Sequence, residues 1–190
     1  MTSDPHQSPD AAHPALAVLD RPQDGAAGQG DGTAPPLRRQ VLLWGWRALG
    51  AALAVGAMEL AADLGETPIS LIPFATSIAV VMGMPDADPA QPRALIGGHV
   101  ISSLIGLAVL WLAGPSYPAA AAAVGIAFFA MQATRTLHPP AGIDPIIIVL
   151  EQLSPTFLLV PVATGCALLV AYTYVWHTLA GGPAWPRRWL

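Results

Sequence analysis

The sequence predicts an all-α membrane protein built from four long transmembrane helices and two short helices that each follow a proline. Three observations carry this reading. Only 11% of the 190 residues are charged while 54% are hydrophobic, against about a quarter charged in ordinary globular chains. The apolar sequence is cut by Pro, Gly and charge into segments that match a hydrocarbon core of about 30 Å, or about 20 helical residues. Finally, five of the twelve acidic residues fall within the first forty positions, so the rest of the chain is poorer still in charge.

Residues 1–37 are expected to form a disordered tail. Between Met1 and Pro36 there are six prolines, five aspartates and four glycines and no aromatic residue, too little apolar surface to offset the entropy of ordering. The run Ala15 to Leu19 is too brief for the apolar core of a secretory signal, and the acidity of the tail argues against an organellar transit peptide. A multi-pass protein of the bacterial inner membrane is the simplest address. The transmembrane domain is assigned to residues 38–181, and residues 182–190 to a short cytoplasmic tail.

The four long segments are Val41 to Leu64, Ala94 to Ala113, Pro118 to Ala133 and Thr156 to Leu179. The two short ones, Pro68 to Met84 and Pro139 to Leu150, carry Pro68 and Pro73 or Pro139 and Pro140 near their starts. The order long, short, long then occurs twice, a layout that suits a 3+3 inverted repeat around broken helices. Arginine placement bears on topology, because bases near segment ends collect in the cytoplasm. If all six segments cross, Arg38, Arg39, Arg93, Arg135, Arg187 and Arg188 share one side and both termini are cytoplasmic. If the short segments re-enter without crossing, the termini stay cytoplasmic but Arg93 and Arg135 move outward. The arginine asymmetry favours six crossings. Small residues at helical spacing, Gly98, Ser102 and Gly106 and again Ala163, Ala167 and Ala171, are expected to pack helices together, and would equally serve a homo-oligomer.

Several function classes recede on composition. All eight basic residues are arginine and the formal net charge is -4, so there is no polybasic footprint for nucleic acid. The single cysteine, Cys166, excludes an intrachain disulfide framework and any multi-cysteine metal site. No metal and no cofactor is expected.

Polar residues inside the apolar domain are informative, because intramembrane charge usually faces a partner or a cavity. They gather in two stretches, PDADPAQPRALIGGH from Pro85 to His99 and RTLHPPAGID from Arg135 to Asp144. With PFATSIAVVMGM preceding the first, this sequence resembles the HPP family of small integral membrane proteins, whose His-Pro-Pro signature corresponds to His138, Pro139 and Pro140. The likeness spans roughly Leu42 to Tyr174. Four membrane spans are usual in that family, and its plastid and cyanobacterial members are associated with nitrite transport, so the resemblance implies transport of a small anion. Two stretches depart from the family pattern: Ala75, Thr76, Ser77 and Ile78 after Pro73, and Ile143, Asp144 and Pro145 after the signature. Asp144 would oppose an anion unless paired or protonated.

The residues themselves also suit a small monovalent anion, nitrite first. Helices that begin within the membrane present free N–H groups and a partial positive charge, and Pro73 and Pro140 are placed to start them. Thr76, Ser77 and Gly142 would line their first turns. Arg93 and Arg135 carry donor forks suited to an oxyanion, although both equally suit anchorage at the headgroups. Gln91, His99 and His138 could add hydrogen bonds, and either histidine could carry a proton; a packing role competes at His99, which follows two glycines. Glu59 and Asp63 share a helix face and read as an exposed, hydrated pair. The alternatives are a non-transporting membrane scaffold subunit, or an intramembrane enzyme using His99, His138, Asp86 and Asp144. No metalloprotease spacing or nucleophile motif supports the enzyme, so no catalytic residue is assigned.

Overall fold

A computed structural model describes residues 36–64, 72–179 and 184–189. The tail assigned to residues 1–37 lies almost wholly outside the described residues, as do Pro68 and residues 180–183. Every regular element among the described residues is helical: α1 (Leu37–Leu64), α2 (Ile72–Gly83), α3 (Pro92–Ala113), α4 (Tyr117–Ala133), α5 (Asp144–Leu150) and α6 (Thr164–Leu179). Short 3₁₀ turns precede α3 and α5, and a 3₁₀ turn (Pro155–Leu158) followed by a π-helical turn (Leu159–Ala163) leads into α6.

The fold class is as expected, and three of the four long segments reach the length of a membrane span among the described residues. Three stretches are long and apolar enough to cross a membrane: Leu37–Leu60, Pro92–Ala113 and Pro155–Leu179. The fourth, α4, has 17 residues, a rise of about 26 Å. Strong local signals close it at both ends. Ser116 caps its start by accepting from the Ala119 N–H at 3.2 Å, and Pro118 sits in the first turn, where its missing N–H costs nothing. At the other end Thr136 N–H reaches back to the Met131 carbonyl at 2.9 Å around a left-handed Arg135, φ 57°, which is the geometry of a Schellman stop. The last span is also less regular than its apolar run suggests. Val160 is extended (φ -132°, ψ 114°), because the residue before a proline, here Pro161, is driven out of helical space.

Contacts place one end of every long helix together. Arg47 on α1 donates to the Gly83 carbonyl at the end of α2 at 3.0 Å, and Trp46 stacks on Trp176 of α6 with ring centroids 4.3 Å apart. Arg93 at the start of α3 donates to the Thr134 carbonyl just past α4 at 3.0 Å. Arg187 pairs with Asp86 beyond α2 at 2.7 Å. Arg47, Arg93, Arg135, Arg187 and Arg188 therefore belong to one end of the bundle. At the other, Val149 of α5 packs against Ala119, Ala120 and Ala123 of α4, with Val109 and Leu110 of α3 beside them.

The core is built from small residues on α3. A Cβ on Gly98 would lie 2.6 Å from that of His138, and one on Gly106 would lie 2.9 Å from Pro145 Cα, so neither approach tolerates a side chain. Gly98, Ser102 and Gly106 are all buried, as the spacing predicts. The alanine stripe behaves differently: Ala163, Ala167 and Ala171 are exposed, and α6 instead buries Gly165, Cys166, Leu169, Thr173 and Trp176. Large apolar side chains point outward around the bundle, among them Leu42, Trp111, Phe129 and Leu168. In water such a surface would be a liability; in a bilayer it is the solvated face.

Candidate functional site

Both short helices begin part-way along the bundle, and polar side chains meet between them. α2 contributes Ser77, α3 contributes His99, Ser102 and Ser103, the turn before α5 contributes His138, and α5 opens with Asp144; all six are fully buried. Ser77 Oγ lies 2.9 Å from His99 Nε2 and 2.9 Å from His138 Nε2. His99 Nδ1 lies 2.8 Å from Asp144 Oδ2. Ser102 and Ser103 donate to that same oxygen at 3.1 and 3.2 Å. His138 Nδ1 donates to the Pro89 carbonyl at 2.7 Å, and the Phe74 ring stacks on His99 with centroids 5.0 Å apart.

Local sequence explains each placement. His99, Ser102 and Ser103 are three and four residues apart, hence on one face of α3. Gly97 and Gly98 let the chain from Thr136 to His138 lie directly on α3, since an added Cβ at Gly97 would come within 2.6 Å of Thr136 Cγ2. The His-Pro-Pro run delays helix formation: Pro139–Ile143 is a 3₁₀ turn and α5 starts at Asp144. The helix start expected at Pro140 is therefore displaced by four residues. The carboxylate then occupies the first turn of α5, where the helix dipole favours negative charge. Pro73 is the second residue of α2, close to the expected start.

Of the sequence-predicted residues, the structure brings Ser77, His99 and His138 together. Gly142 is buried nearby, but its role is steric: a Cβ there would lie 2.7 Å from Phe128. Thr76 is exposed one residue from Ser77. Arg93, Arg135 and Gln91 lie apart from the cluster, around an open cleft of ≈ 250 Å³ that also includes Asp88, Ala94 and Arg188. Gln91 braces the cleft, its amide nitrogen bonding the Pro85 and Ala87 carbonyls and its oxygen accepting from the Arg187 and Arg188 N–H groups. Cleft and cluster are joined through the Asp88–Ala90 turn, whose Pro89 carbonyl holds His138.

Sequence reasoning missed Ser103 and gave Ser102 only a packing role. Their spacing from His99 was the available signal. Asp144, read as an obstacle to anions, is the partner of His99.

Residues 36–186 match the HPP transmembrane region. The chain belongs to the HPP family. Two curated Dictyostelium discoideum proteins, both described only as transmembrane proteins, are each 32% identical to it. One alignment covers 124 residues, 61% of this chain and 44% of that relative; the other covers 132 residues, 65% and 42%. This HPP chain thus spans less than half the length of those relatives. No solved structure matches it.

Proposed function

We propose that this HPP protein carries a small monovalent anion across a membrane, nitrite being the first candidate. The carrying observation is the architecture at mid-bundle. Two interrupted helices start next to a fully buried polar cluster, below a cleft rimmed by Arg93, Arg135 and Arg188. Discontinuous helices meeting at polar groups are how many secondary transporters build a substrate path, and buried ionisable groups within a membrane domain default to function. Arg135 adds support, because it occupies a left-handed position, φ 57°, that glycine fills at lower cost.

The membrane reading extends to topology: a bacterial inner-membrane protein with both termini cytoplasmic and four long spans. The chain from Arg135, at the arginine end, to Val149, packed on the start of α4, runs the length of the bundle, which supports a crossing made half of irregular backbone and half of α5. α2, with 12 residues, rises about 18 Å, short of the hydrocarbon thickness of about 30 Å. Outside labelling of Arg93→Cys in a Cys166→Ala background by an impermeant thiol reagent would replace six crossings with the re-entrant alternative.

An acyl-transfer reading draws on the order Ser77, His99, Asp144, which matches a hydrolase relay. Ser77 is fully buried and faces a second imidazole, an arrangement that leaves no place for a carbonyl substrate and favours transport without catalysis. A scaffold role would need no polar centre.

Proteoliposomes assayed for nitrite, nitrate and formate uptake test the proposal. Arg93→Gln and Arg135→Gln should each weaken nitrite uptake at subsaturating concentration, about 1.5 to 3 kcal/mol for a lost charge-assisted hydrogen bond, with the protein still folded. Undiminished uptake in both variants would reduce these arginines to anchors, and no uptake of any anion by the wild type would end the anion reading.

A further inference from the structure

Hydrogen counting across the buried cluster leads beyond the anion path. Ser77 Oγ carries a single hydrogen, so it can donate to at most one of the two imidazole nitrogens that face it at 2.9 Å; at least one of those nitrogens must itself carry hydrogen and donate. His138 Nδ1 faces a carbonyl and so must also be N–H. Between His99 Nδ1 and Asp144 Oδ2, at 2.8 Å, there is likewise one hydrogen, because two bare acceptors would repel. If the donor to Ser77 is His138, that ring is doubly protonated. If it is His99, either His99 is imidazolium beside a carboxylate or Asp144 is the acid and donates to Nδ1. Every assignment gives the group Ser77, His99, His138 and Asp144 at least one proton more than neutral imidazoles and an ionised carboxylate would hold. With one such proton the cluster is electrically neutral, the condition under which burial is least costly.

A second observation places that proton. Asp144 Oδ1 is buried and has no hydrogen-bond partner, while Oδ2 takes all three contacts. A carboxylate would leave half its charge undonated at Oδ1; the acid leaves only a neutral carbonyl oxygen there.

We propose that the His99–Asp144 pair is a proton-binding site in the middle of the membrane domain, and that its proton moves with the anion carried by the same protein. The coupling half rests on the anion reading; the proton site does not. The side chains facing the pair are Phe74 and Ser77 from α2, Ser102 and Ser103 from α3, His138 from the signature turn, and Cys166 from α6, whose thiol lies within electrostatic reach of Asp144. The cluster itself contains no arginine, so the proton is what neutralises the Asp144 carboxyl there. Through His138 and the Pro89 carbonyl it adjoins the cleft holding Arg93, Arg135, Arg188 and Asp88.

The test uses full-length protein in liposomes. Infrared difference spectra recorded across a pH step should show a carboxylic-acid carbonyl or an imidazolium signal at neutral pH that is missing in Asp144→Asn. Asparagine mimics the protonated acid in shape and charge, so this variant should fold; His99→Gln provides a second, independent removal of the pair. In parallel, an internal pH dye should report proton entry driven by a nitrite gradient in wild type, and that entry should be lost in Asp144→Asn. Absence of both infrared signals from the wild type overturns the proton site, and nitrite-driven proton entry that survives in Asp144→Asn overturns the coupling. Infrared signals present in a protein that moves none of nitrite, nitrate or formate would uphold the site and reject the anion.

Discussion

The buried cluster and the arginine rim lie at neighbouring levels of one bundle, yet they hold polar groups in opposite ways. In the cluster, every side chain from Ser77 to Asp144 is sealed from solvent and fixed by a partner on another element. On the rim, Arg187 and Asp86 pair at 2.7 Å but remain about half exposed, and Arg93 spends one donor on a loop carbonyl. Charge alone points to the rim as the site of chemistry. Desolvation points to the cluster, since each group there is costly unless its partners are in place. The rim is suited to attract an ion and release it, the cluster to hold a proton in a defined geometry.

Removing one member from each region should separate them most widely. Asp144→Ala leaves the Ser102 and Ser103 hydroxyls and the His99 ring nitrogen without their buried partner, and should destabilise the protein by about 3 to 5 kcal/mol, as for one partner of a buried pair. Arg187→Gln, at an exposed pair, should cost no more than about 1 kcal/mol. Thermal unfolding in detergent micelles checks both, and equal shifts would erase the distinction drawn between the regions.

A smaller effect tests the scaffold under the cluster. Gly98→Val drives a side chain into His138 Cβ, 2.6 Å from the position of the new Cβ, and should cost about 1 to 3 kcal/mol through overpacking. It should also alter the cluster's proton signal without touching a polar group. Gly45 on α1 has nothing within 4 Å of its added Cβ, so Gly45→Ala should be neutral or stabilise by up to about 1 kcal/mol through helix propensity. If Gly98→Val proves as mild as Gly45→Ala in the same melt, close approach at Gly98 does not hold the signature in place.

The sequence by itself determined the helical class, the apolar segments to within a few residues, and the two interruptions, because hydrophobic length, proline and glycine act locally. It also marked His99 and His138 through the two polar stretches, and Ser77 through its place in the first turns after Pro73. It could not show that Val160 leaves helical geometry; proline sterics compete there with an unbroken apolar pattern. Nor could it join Ser77 to His99 across 22 residues, His99 to Asp144 across 45, or Ser77 to His138 across 61. Periodicity relates residues on one helix only, and nothing in it encodes which faces of different helices will meet. Close packing at Gly97, Gly98 and Gly106 decides that, bringing the signature and α5 onto α3 and turning Asp144 from an isolated acid into the partner of His99.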